Sequence, residues 1–181
     1  MNKKACGIDY SMTSPGITVF IDGVITSYFF TTSKKQVGEF FTSGNYNLVG
    51  IQYPEWNSPE ERFNRVSKIV SELIPKDSSV VIEGYSFGST SSNLFQIAEN
   101  CGALKQRLFE REIHFTVVPP SAIKKYATGK GTAKKEQMYE AFIAETGVDL
   151  QHAFSKKEGS KIGSPVSDIV DSYFMCKLAS E

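Results

Sequence analysis

The stretch KACGIDYSMTSPGITVFIDGVITSYFFTT, residues 4 to 32, decides the fold. KACGID is a short apolar run that reads as a buried strand ending at Asp9. GITVFIDG and VITSYFFTT are rich in β-branched and aromatic residues, and Asp22-Gly23 between them is a strong two-residue hairpin signal. Three consecutive strands in an antiparallel meander follow. Asp9 then leads into small hydroxyl residues, a proline and a glycine, so it is either a turn aspartate or the first member of a carboxylate cluster.

Beyond the meander, residues 33 to 57 are mixed, with one possible strand at NLVGIQY. SPEERFNRVSKIVSELI opens with Ser58 as N-cap, Pro59 in the first turn and Glu61 at the capping-box position. Its apolar residues Phe63, Val66, Ile69, Val70 and Leu73 recur at helical spacing. SSVVIEG is an all-apolar strand ending at Glu83, as expected inside a covered sheet. NLFQIAENCGALKQRLFER is a second amphipathic helix, and HFTVVPP another strand, closed by two prolines. Helices are expected at roughly 133–146 and 165–179. The order predicts an α/β domain over 1–181: an antiparallel three-strand meander continued by parallel strands, with helices on both faces.

Composition bounds the function. A hydrophobic content of 40% with 22% charged residues suits a folded globular chain rather than a disordered one. No apolar run reaches the roughly 20 residues of a bilayer span, and the N-terminus has no apolar segment of signal-peptide length, so the expected place is the cytoplasm. Cys6, Cys101 and Cys176 are scattered among apolar neighbours and read as buried thiols. His114 and His152 have no partner at zinc spacing. The net charge is zero, yet Lys124, Lys125, Lys130, Lys134 and Lys135 fall between residues 119 and 135 with no acid among them. Lys156, Lys157 and Lys161 follow, so a basic zone lies on a neutral protein.

Acids fall where strands end. Asp9 and Glu83 close two strands that helical crossovers would make parallel, and ligands collect at the carboxyl ends of such strands. Asp168 and Asp171, in SPVSDIVDSYFM, lie three apart and share a helix side. Two carboxylates there repel, and either a cation or water would relieve them. Each position alone has an ordinary reading: a turn former, a solvated rim residue, a solvent-facing pair. Together, four carboxylates without histidine or cysteine suit a hard cation such as Mg²⁺ or Mn²⁺. Two such ions can activate water for phosphodiester hydrolysis.

These residues resemble the RuvC-type Holliday junction resolvases of the ribonuclease H-like superfamily. GIDYSMTSPGITVF is similar to the family's first-strand motif, with Asp9 followed seven residues later by Gly16. VVIEGYSFG resembles the strand of the second carboxylate, and NLFQIAENCGALKQRL the helix after it, with Gly102 at the familiar glycine position. VVPPSAIKKYATGKGTAKKEQM resembles the proline-bearing strand end and basic turn, and SDIVDSYFMCKLA the final helix. Residues 33–57 and 147–164 are unmatched. The Tyr-Ser-Met-Thr-Ser-Pro continuation after Asp9, and the loop GYSFGSTSSN after Glu83, depart from the bacterial pattern and look more similar to bacteriophage relatives.

The resemblance implies a ribonuclease H-like mixed sheet and an endodeoxyribonuclease hydrolysing branched DNA, four-way junctions above all. Asp9, Glu83, Asp168 and Asp171 would hold Mg²⁺, with Mn²⁺ able to substitute and two ions per site. Ser11 and Thr13 could steady the loop beside Asp9. The lysines 124, 125, 130, 134 and 135 would neutralise phosphates, and Tyr85 and Phe87 could stack on an unpaired base. A junction has two strands to cut, so a two-fold homodimer is expected, with the NLFQIAENCGALKQRL helix, residues 93–108, as its candidate interface. No nucleotide cofactor or membrane partner is expected.

Three alternatives stand beside this. A sugar-kinase or actin-like ATPase shares the first hairpin but requires a second phosphate-binding hairpin of Asp-Gly-Gly-Thr type, which the chain lacks. A non-catalytic DNA-binding protein would be expected to lack a carboxylate, whereas all four are present. A nuclease of the same fold could instead prefer other branches, flaps or RNA–DNA hybrids.

Overall fold

The computed structural model describes residues 4–84, 94–157 and 159–181. Among these residues, seven strands form a sheet in the order β4-β5-β3-β2-β1-β6-β7. The meander is β1 (Lys4–Asp9), β2 (Gly16–Ile21) and β3 (Val24–Thr31), antiparallel throughout. Asp22 and Gly23 both take positive φ, 51° and 88°, which the tight right-twisted hairpin requires.

A 3-10 turn at Lys34–Gln36 leads into β4 (Gly38–Ser43) and β5 (Tyr46–Gln52). The NLVGIQY strand is therefore present, while β4 was not expected from sequence. GEFFTS is an edge strand with no fully buried residue and a register irregularity between Glu39 and Phe41, so it lacks the clean alternation that announces a strand.

Helix α1 (Pro59–Leu73) begins as its sequence predicts: the Glu61 amide donates to Ser58 Oγ at 3.2 Å. The Glu61 carboxylate accepts from the Asn57 amide at 2.8 Å. After α1 come β6 (Ser79–Glu83), α2 (Leu94–Glu110) and β7 (Phe115–Val118). Helix α3 (Pro120–Thr128) is a further element that sequence reading missed: the proline pair that closes β7 also opens this helix, with Pro120 in its first turn and Gly129 as a left-handed C-cap. Helices α4 (Lys135–Thr146), α5 (Leu150–Ala153) and α6 (Val166–Ala179) complete the chain.

β1 pairs parallel with β6, β6 with β7, and β3 with β5. Because β3 is reached from β1 by two antiparallel steps, all five of these strands run one way and end on one edge. The faces divide the core. Ile8, Val19 and Ile82 pack with Val66, Val70, Leu104 and Leu108 of α1 and α2. Phe29, Leu48 and Val81 pack on the other side with Ile123, Phe142, Ile169 and Phe174 from α3, α4 and α6. The three cysteines are buried and outside any disulfide, as expected.

Candidate active site

Strand periodicity aims the first two carboxylates. In β1 and β6, Ile8 and Ile82 are register partners and both point into the α1/α2 core. The next residues, Asp9 and Glu83, therefore turn to the opposite face, towards α6. They sit side by side on the edge where the parallel strands end.

Glycines bring the second pair to them. A Cβ on Gly7 would stand 2.1 Å from the Ser172 carbonyl oxygen, and one on Gly16 2.3 Å from that of Asp168. Only residues without side chains let α6 lie this close to β1 and β2. Gly16 is also the register partner of Asp9, so the Asp168 backbone rests on the strand pair that carries the first carboxylate. A buried run of hydroxyls fixes the helix from beneath. Ser172 Oγ donates to the Ile169 carbonyl at 2.8 Å and Tyr46 Oη donates to Ser27 Oγ at 2.8 Å. Thr18 Oγ1 bridges the two, 2.7 Å from Ser27 and 2.8 Å from Ser172. With one proton per hydroxyl, the direction is set: Tyr46 to Ser27 to Thr18 to Ser172 to the backbone.

The four carboxylates feel one another. Burial holds the Asp9 carboxyl well above the usual range, and Glu83, Asp168 and Asp171 add to the effect while Lys135 opposes it. Glu83 is pushed up to about 7 by burial and by Asp171, against the pull of Lys124. Asp171 is pushed up to about 6 by burial and by Asp168, against Lys135 and Lys124. Asp168 is buried; its Oδ1 accepts from Ser167 Oγ at 3.1 Å, while Oδ2 is buried without a hydrogen-bond partner. Among the described residues no three such side chains close into a ready-made chelate. They face a common space and repel, as like charges do without a counter-charge between them.

The lysines separate into groups. Lys135 Nζ donates to Ser167 Oγ at 3.1 Å, so Lys135, Ser167 and Asp168 form a relay at the edge of the cluster. Lys124, Lys134, Lys135 and Lys161 line a groove of about 780 Å³ between α3, the start of α4 and the segment before α6. Lys125 and Lys130 are exposed but do not line it. Tyr85 and Phe87 lie outside the described residues. Ser11 does steady the loop after Asp9, its Oγ accepting from the Ser14 amide at 2.9 Å, whereas Thr13 is exposed.

Sequence reading singled out neither Ser167 nor a clamp on the same loop. Tyr53 Oη donates to the Met12 carbonyl at 2.5 Å, and Arg62 donates to that carbonyl and, at 2.8 Å, to Tyr53 Oη. The aromatic pair in QYPEW, residues 52–56, was the signal for it.

Known proteins share this architecture. The Thermus thermophilus RuvC structure is 17% identical, covering 97% of this chain and 96% of that one, with a TM-score of 0.55. The structure of T. thermophilus RuvC in complex with Holliday junction substrate is 18% identical, covering 96% and 90%, with a TM-score of 0.58. At such identities the likeness is one of fold, and it establishes the ribonuclease H-like mixed sheet. Among curated proteins none matches. The family model of crossover junction endodeoxyribonuclease RuvC matches residues 42–154, a span that contains Glu83 and the five lysines but neither Asp9 nor the aspartates of α6. With more than half its length matched, the chain belongs to the RuvC family of crossover junction endodeoxyribonucleases.

Proposed function

We propose that this family member is a metal-dependent endonuclease of branched DNA, four-way junctions foremost, in which Asp9, Glu83, Asp168 and Asp171 hold Mg²⁺. The observation that carries the reading is that acids from three separate elements, β1, β6 and α6, are turned onto one buried spot. Burying like charges together is costly unless a cation offsets them. The donor set is all oxygen, which suits Mg²⁺ or Mn²⁺, and the partnerless Asp168 Oδ2 is an acceptor suited to such an ion. Four carboxylates supply enough ligands for two ions. Bound there, the ions would supply activation of water and charge stabilisation at the leaving oxygen.

The protein's own groups do the rest. Lys135 orients Ser167, and Ser167 holds one oxygen of Asp168, which leaves the other for the cation. Glu83 and Asp171, with raised pKa values, give up protons when the cation arrives. The groove lysines Lys124, Lys134, Lys135 and Lys161 bind phosphates beside the cluster, with Lys125 and Lys130 adding to the field. Tyr85 and Phe87 remain proposed base contacts on sequence grounds.

The whole chain serves as one nuclease domain, and a homodimer places two such sites on a junction. Phe95 and Phe109 of α2 support that arrangement. They are fourteen residues apart, two heptads on one helix side, and are 78% and 76% exposed.

The test is cleavage of four-way, three-way, flap, linear duplex and RNA–DNA hybrid substrates with Mg²⁺ or Mn²⁺, beside Asp9→Asn. Selective cutting of the four-way junction, abolished in the variant, is expected. Unchanged cutting by Asp9→Asn would remove the metal assignment, and equal cutting of linear duplex would remove the branch selectivity.

A further inference from the structure

Trp56 is the chain's single tryptophan, and it is 44% exposed in the connection between β5 and α1. It belongs to neither buried core. β5 ends on the same sheet edge as β1 and β6 but three strands away from β1, and Tyr53, just after it, packs on the α1/α2 face.

Contacts tie it to the loop that follows Asp9. The Arg62 guanidinium lies over the Trp56 ring at 5.2 Å and over the Tyr53 ring at 5.7 Å. Arg62 and Tyr53 both donate to the Met12 carbonyl, three residues beyond Asp9. Ring, guanidinium and phenol are thus fastened to the loop that leaves the first carboxylate. The hydrogen-bond acceptors of Arg62 here are a carbonyl and a phenol, neither of which cancels its charge. The neighbouring acid Glu61 is turned to Asn57 and Arg65 instead.

An exposed aromatic ring backed by a cation and fastened to the loop that follows Asp9 has the chemistry of a base-stacking surface. We propose that Trp56, held by Arg62, is a platform on which an unpaired nucleobase of the branched DNA stacks. The platform rests on the nuclease reading above and deepens it by naming a contact for the substrate. Stacking is tolerant of base identity, so the platform selects unpaired bases rather than a sequence.

The single tryptophan makes the test direct, because its emission reports on residue 56 alone. The full chain is titrated with a four-way junction, a linear duplex of equal length and oligo-dT, in Ca²⁺ or EDTA to prevent cutting. Trp56→Ala and Trp56→Phe are titrated by labelled DNA. The junction and oligo-dT are expected to quench emission while the duplex leaves it nearly unchanged. Trp56→Ala should weaken junction binding about 10-fold, and Trp56→Phe, which keeps a ring face, should recover most of that. Duplex affinity and thermal melting should stay as in the wild type. Tight junction binding with unchanged emission and an unaffected Trp56→Ala overturns the platform and leaves the nuclease reading intact. Failure of the wild-type chain to bind any branched DNA overturns both.

Discussion

Gly16 lies directly beneath the backbone of Asp168: a Cβ there would stand 2.3 Å from the Asp168 carbonyl oxygen. The contact joins the register partner of Asp9 to the helix that brings two more carboxylates. Gly16→Ala must therefore push α6 outward. The expected outcome is a loss of about 1–3 kcal/mol in stability, from overpacking, together with weaker Mg²⁺ binding. Thermal melts with and without Mg²⁺ check it, and the cation should raise the melting temperature of the variant less than that of the wild type.

Metal-free stability should fall as pH rises. Glu83 goes from an ordinary value of 4.5 to about 7, and Asp171 from 3.8 to about 6. The folded state therefore holds protons that the unfolded chain has released. The stabilisation is complete below about pH 4 and is lost as pH climbs through 6 and 7. Glu83→Gln should stabilise the metal-free protein at pH 8 by on the order of 1–3 kcal/mol and do little at pH 4. Urea unfolding in EDTA at the two pH values measures this.

Divalent cation should act in the opposite sense. At about 100 times its Kd, Mg²⁺ adds roughly 2.7 kcal/mol at pH 8 and less at pH 5, where protons compete. Asp168→Asn, which makes the oxygen-only site weaker, should lose most of that gain in calorimetric titration.

The hydroxyl run under α6 predicts coupling between distant parts of the chain. Thr18→Val breaks the link from Ser27 to Ser172 and leaves buried hydroxyls short of a partner. About 1–3 kcal/mol should be lost. A double-mutant cycle with Ser172→Ala should show non-additivity, since both changes remove the same bond.

Groove lysines should differ from their neighbours in salt dependence. Lys134→Ala and Lys161→Ala should each lower the slope of log affinity against log salt by about 1. Lys125→Ala and Lys130→Ala should change it less, because those side chains do not line the groove. Junction binding at several salt concentrations separates the two groups.

Much of the fold was legible in the chain because its signals are local. The Asp22-Gly23 hairpin, the Ser58 cap and the all-apolar VVI of β6 each declare themselves within a few residues. β4 and α3 did not. The first is an edge strand with no fully buried residue, and the second buries only Ile123 and begins in prolines that equally end a strand. Local periodicity is weak where little is buried.

Sequence also determined which carboxylates the chain has and that Asp168 and Asp171 share a helix side. Only the tertiary structure decided that this side meets Asp9 and Glu83. That outcome depends on how closely a helix can approach two strands some 150 residues earlier in the chain, and it rests on Gly7, Gly16 and the Thr18–Ser172 bond. It also decided that Lys135 reaches Asp168 through Ser167, and that Trp56 stands by the loop after Asp9. These are contacts between segments far apart in the chain, and no spacing rule within one segment encodes them.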